Sequence, residues 1–73
     1  MVTNLKSLNT EELAKILVTS RATIHLWRKR GLPSSRVSMR QWSYDLTQVL
    51  NWLAKNGQAD YAEHVAKKYN ITL

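Results

Sequence analysis

Six cationic side chains and no acid occupy residues 21–40: Arg21, Arg28, Lys29, Arg30, Arg36 and Arg40. The chain of 73 residues carries 11 Lys+Arg against 5 Asp+Glu, a formal charge of +6. Outside the middle stretch the charges cancel. Lys6 and Lys15 face Glu11 and Glu12 before it; Lys55, Lys67 and Lys68 face Asp45, Asp60 and Glu63 after it. The whole excess therefore belongs to one segment. Such groups pair with phosphate, and the Arg fork also matches the major-groove edge of guanine bidentately. A one-sided excess at the centre of a small domain fits an electrostatic footprint on nucleic acid. A solvated basic face is the competing reading. A membrane surface fits less well, because the segment lacks a wide apolar face to insert.

Other chemistry has little to stand on. A chain of this length allows one domain over residues 1–73, with a thin core and little room for an enclosed catalytic pocket. There is no cysteine, so neither a disulfide framework nor a thiolate zinc site is available. His25 and His64 are too far apart in sequence to form a paired metal motif. No cofactor motif, phosphate loop or nucleophile–base pairing is present, so no enzyme, metal or cofactor is expected. No apolar run approaches the roughly 20 residues of a membrane span, and no signal peptide is seen. The expectation is a cytoplasmic module, mainly helical, since Gly and Pro are few.

The elements that must position the cations can be read from caps and periodicity. Residues 1–7 read as a loose arm. Asn9 with Glu12 makes a capping box, and Leu8 with Leu13 a hydrophobic staple, for a helix from Thr10 to Leu17. Valine strongly disfavours positive φ, so the turn at Val18 and Thr19 is expected to avoid that conformation. Ser20 caps a second helix from Arg21 to about Arg30, with Thr23 as a weaker partner. Gly31 then suits a left-handed C-terminal position, and Pro33 prevents continuation. Two short helices joined by a tight turn, the second basic, form a helix-turn-helix pattern. Residues 34–44 read as a small hairpin turning at Ser38–Gln41. A short helix over residues 35–42 is the alternative. Asp45 with Gln48 makes a second capping box, and Tyr44 with Val49 a second staple. Leu46, Val49, Leu50 and Leu53 continue that helix until Asn56-Gly57. A fourth helix spans about Ala59 to Tyr69, and residues 70–73 read as a tail.

The run Leu8-Asn9-Thr10-Glu11-Glu12-Leu13-Ala14, then Ser20-Arg21-Ala22-Thr23-Ile24-His25-Leu26-Trp27-Arg28-Lys29-Arg30-Gly31-Leu32-Pro33, then Tyr44-Asp45-Leu46, Val49-Leu50 and Trp52-Leu53, resembles the excisionase-type helix-turn-helix family. That family belongs with the MerR-like winged helices, and includes AlpA-type regulators and the DNA-binding domains of phage terminase small subunits. The resemblance covers residues 8–54. It implies a winged helix-turn-helix: two helices, a short β-hairpin wing and a third helix, here followed by an additional C-terminal helix. Val18 stands where the family's turn usually has glycine, and Leu26 where Arg or Lys is common. The function implied is sequence-specific binding of double-stranded DNA by a small mobile-element or phage accessory protein. It would be an excisionase (a recombination directionality factor) or a transcriptional regulator. An integrase or recombinase is the implied partner, with self-association on tandem sites and a place on the nucleoid of a bacterial or phage-infected cell. A DNA-packaging role and a protein-interaction role are the alternatives.

In a helix-turn-helix the second helix enters the major groove, its first residues meeting base edges. With Ile24 and Trp27 turned inward, Ala22, His25, Leu26 and Lys29 point outward. Arg21 and Arg28 flank them on one side, Thr23 and Arg30 on the other. Arg21 and Arg28 are expected at base edges, and Lys29 and Arg30 at phosphates. Ala22 permits close approach and suits a thymine methyl. Ser20 is expected to cap the helix and set its N-terminus against a phosphate. His25 can hydrogen-bond a base or a phosphate. Arg36 and Arg40, on the wing, are expected in the minor groove or on the backbone.

Overall fold

The Asn9 side chain accepts from the Glu12 N–H at 2.7 Å, and Glu12 returns a bond from the Asn9 N–H at 3.1 Å. This capping box opens α1, Thr10–Leu17. In the computed structural model, which describes residues 5–73, three more helices follow: α2 (Arg21–Lys29), α3 (Leu46–Lys55) and α4 (Ala59–Lys68). Between α2 and α3 lies an antiparallel hairpin of β1 (Ser35–Arg36) and β2 (Trp42–Ser43). Its register pairs Ser35 with Ser43 and Arg36 with Trp42. The fold is mainly helical with one small sheet. No described helix is long and apolar enough to cross a membrane.

The hairpin, not the alternative helix, forms over residues 35–42, and its turn lies at Ser38–Gln41 as the sequence suggests. The Val37 and Ser38 N–H groups both donate to the Gln41 carbonyl, at 2.9 and 3.3 Å. Two-residue strands are too short to stand alone. They are held because the next residue, Tyr44, pairs with Leu8 in an isolated antiparallel bridge. Both backbone bonds form, at 2.9 and 2.8 Å. Residues 5–7 therefore depart from the expected loose arm; residues 1–4 lie outside the described residues. Leu5 packs half-buried against the core, and its carbonyl accepts from the Leu46 N–H at 2.8 Å. Burying Leu5 and Leu8 adds apolar area that so thin a core needs.

Both staples close. Leu8, Leu13 and Val49 are fully buried and Tyr44 nearly so. The second capping box does not form as expected: Asp45 caps α3 by accepting from the Thr47 N–H at 2.9 Å, rather than by exchange with Gln48. One core joins Leu13, Leu17, Ile24, Leu46, Leu50, Leu53, Ala62 and Val65. Helix α4 closes over α3 within the same chain, through Ala62, Val65 and Ala66. The Tyr61 hydroxyl donates to the carbonyl of Leu17, satisfying one of the carbonyls that the end of α1 leaves open. Burial pushes the Tyr61 phenol up from its ordinary 10.0.

All four helices end in the same way. After each, a residue with positive φ reverses the chain, and the next N–H returns to a carbonyl five residues earlier, closing a Schellman motif. The left-handed positions are Val18 (φ 53), Gly31 (φ 107), Gly57 (φ 85) and Asn70 (φ 58). The returning bonds are Thr19 to Ala14 (2.9 Å), Leu32 to Trp27 (3.0 Å), Gln58 to Leu53 (2.9 Å) and Ile71 to Ala66 (2.8 Å). Glycine and asparagine suit this conformation; a β-branched residue does not. The expectation that Val18 avoids positive φ is thus overturned. The bonds on either side of it hold the turn against the cost. The last of these motifs also draws Ile71 half-buried onto the core, so the expected tail is docked at its start.

Two stability predictions follow from these ends. Val18 is 83% exposed, so replacing it removes little packing. Val18→Gly relieves about 1–2 kcal/mol of left-handed strain against about 0.4–1 kcal/mol of added unfolded-state entropy. The melting temperature should rise by about 4 °C; a fall would give the valine side chain a structural role. Tyr61→Phe should cost about 1 kcal/mol. The neutral phenol is favoured in the fold, so this difference is full below pH 10.0 and shrinks as pH rises through the folded value. Denaturant melts of both proteins from neutral to alkaline pH check it; a constant difference would refute the role of the hydroxyl.

Candidate nucleic-acid interface

The N-terminus of α2 is set by Ser20. Its Oγ accepts from the Thr23 N–H at 3.2 Å and bonds the Thr23 hydroxyl at 3.0 Å. Ile24, fully buried, anchors the inner face. Trp27 is only half-buried, at the edge of the core, where its ring meets that of Trp52 on α3 with centroids 6.5 Å apart and planes at 54°. Such tilted aromatic pairs add about 0.5–1.5 kcal/mol beyond area burial. These anchors leave Arg21, Ala22, His25, Leu26, Lys29 and Arg30 exposed, and Thr23 half-buried.

Arg28 is placed differently from the expectation of a free cation on the groove side. It is half-buried, with its guanidinium carbon 4.5 Å from the centre of the Trp42 ring on β2. One of its terminal nitrogens donates to His25 Nδ1. Because guanidinium only donates, His25 Nδ1 accepts, and the imidazole proton lies on Nε2. The Arg28 Nε–H is buried without a hydrogen-bond partner among the described residues. Its attraction to the Trp42 ring offsets part of that loss. Arg28 therefore joins α2 to the hairpin. His25, Arg28, Lys29, Ser34 and Trp42 line the shallow groove between them.

Arg36 is also engaged. Its Nε donates to the Ser38 carbonyl at 3.3 Å and its Nη2 to the Met39 carbonyl at 3.2 Å, so it ties down the turn from within. Its guanidinium carbon lies 6.0 Å from the Trp42 ring. Arg40 is exposed in the turn itself, next to Met39, which is 86% exposed. The ten residues singled out from the sequence thus fall on α2, its cap and the adjoining hairpin. Arg21, Lys29, Arg30 and Arg40 present exposed charge, while Ser20, Thr23, His25, Arg28 and Arg36 make contacts that shape the face. The sequence does not single out Trp42 as the joint. Nothing in its spacing from Arg28 indicates the contact.

No known protein family, curated protein or solved structure matches the chain.

The joint between Arg28 and Trp42 is open to a double-mutant cycle. Arg28→Ala, Trp42→Ala and the double variant, compared by denaturant melts, should show a coupling of about 0.5–1 kcal/mol. Strict additivity would mean that the two side chains merely lie near each other.

Proposed function

We propose that the protein binds double-stranded DNA sequence-specifically, as a small winged helix-turn-helix. In this reading α2 is the recognition helix in the major groove, and the hairpin is a wing on the minor groove or backbone. One observation carries it: the entire charge excess of the chain lies on two adjacent elements joined by Arg28 and Trp42, on a scaffold otherwise neutral. Arg21 is then the base-edge reader, at the start of α2 where a recognition helix meets the bases. Lys29, Arg30 and Arg40 neutralise phosphates, and Ser20 sets the helix N-terminus. Arg28 contributes by fixing the angle between helix and wing. A duplex is favoured over a single strand, because a single strand needs exposed aromatic platforms along the basic strip. Here Trp27 is turned to Trp52, and Trp42 is covered by Arg28.

The resemblance of residues 8–54 to excisionase-type proteins gives this binding a biological setting. It supports a mobile-element or phage accessory protein in the bacterial cytoplasm. Such a protein acts as a recombination directionality factor beside an integrase, or as a transcriptional regulator.

Binding of the protein to duplex DNA, followed by fluorescence anisotropy at several salt concentrations, tests the reading. Affinity should fall steeply with salt, since each neutralised phosphate contributes close to one unit of slope. Arg40→Ala should weaken binding to most sequences alike and make the slope shallower by about one unit. Arg21→Ala should cost about 1–3 kcal/mol at a preferred site and less on random DNA. A flat salt response would refute DNA binding and favour a protein partner.

A further inference from the structure

Along α2 the residues farthest from the core are Ala22, Leu26 and Lys29, which follow one another at i, i+4 and i+7 on the side opposite Ile24. All three are exposed, and Leu26 shows 57% of its surface to solvent. Two of the three carry no hydrogen-bonding side-chain atom. The polar groups beside them on one flank, His25 and Arg28, are bonded to each other. The middle of the most basic face of the molecule is therefore apolar.

A helix laid in a major groove with Ile24 toward its own core turns this stripe to the groove floor. There the four bases present nitrogen and oxygen atoms, and one apolar group, the 5-methyl of thymine. Leucine and alanine over an N–H or C=O edge leave that edge desolvated without a partner, which is unfavourable. Over a methyl group they gain the ordinary benefit of apolar burial. Charge selects the occupant. Arg21 and Arg30 border the stripe and Lys29 ends it, so a polyanion is drawn to it, whereas a second copy of the chain would bring the same cations face to face.

We propose that Ala22 and Leu26 form a thymine-methyl-reading stripe, and that Leu26 is a specificity-determining residue of this chain. The proposal rests on the DNA-binding reading above and adds the chemical class of its target: a duplex with thymine at one or two positions under the middle of α2. Arg21 reads beside it by hydrogen bonds, and the stripe reads by shape and hydrophobicity.

The experiment begins with the full chain and a pool of random duplexes, from which the best-retained site is recovered. Each thymine of that site is then replaced in turn by deoxyuridine, which removes the methyl and leaves the hydrogen-bonding edge intact. Affinity should fall by about 3- to 5-fold at one or two positions, the worth of one buried methyl group, and stay unchanged at the others. Leu26→Ala should melt with the parent, since the side chain is exposed, bind the thymine site more weakly, and no longer distinguish uracil at the position beneath Leu26, while any discrimination beneath Ala22 stays. Uniform affinity across the uracil series overturns the inference while leaving DNA binding intact. So does full uracil sensitivity in Leu26→Ala. If no duplex is retained, the DNA-binding reading itself fails, and the inference with it.

Discussion

The pairing of Leu8 with Tyr44 holds the two halves of this fold together. Two backbone bonds join Leu8, just before the Asn9 cap of α1, to the residue after β2. Tyr44 is buried to 1% exposure, and its hydroxyl bonds Thr10 at 3.1 Å on the first turn of α1. Immediately after it, Asp45 caps α3. One short stretch thus fixes where α1 starts, where the hairpin ends and where α3 begins. A hairpin with two residues per strand has no stability of its own. Its orientation is borrowed from this bridge on one side and from the Arg28–Trp42 contact on the other.

That arrangement separates stability from charge. The fully buried side chains are apolar or aromatic, with no buried charged or polar residue among those described. The ion pairs Glu11–Lys15 and Glu63–Lys67, both 3.7 Å and exposed, lie on α1 and α4. Exposed pairs of this kind add little stability and do not dilute the basic face. The less favourable features gather around α2: the left-handed valine that precedes it, the unpartnered Nε of Arg28 and the exposed Leu26. Departures from local rules tend to concentrate where a surface is shaped for a partner. The four Schellman ends and the closure of α4 over α3 supply the rigidity that tolerates them.

Much of this was legible in the sequence, and the reason is local. Asn9 with Glu12, Ser20 with Thr23, Gly31 before Pro33, and Asn56-Gly57 act over three or four residues, so their geometry follows from the chain alone. The same holds for the clustering of six cations in residues 21–40 and for the turn at Ser38–Gln41. The bounds of all four helices and the existence of the hairpin belong to this class.

What the tertiary structure alone decided involves residues far apart in the chain. Leu5 looks like part of a loose arm, and Leu8 like a staple residue only, until Leu46 and Tyr44 offer them backbone partners. Arg28 looks like a free cation on a helix face until Trp42 is brought within 4.5 Å of it. Val18 looks unable to take positive φ, because local sterics oppose it; the Schellman bond of Thr19 to Ala14 holds it there, and α4 adds the bond of Tyr61 to Leu17 beside it. Sequence determines what a segment prefers within a turn or two. Which distant group satisfies it, and which preference is overridden, depends on burial and pairing that exist only when the whole chain is packed.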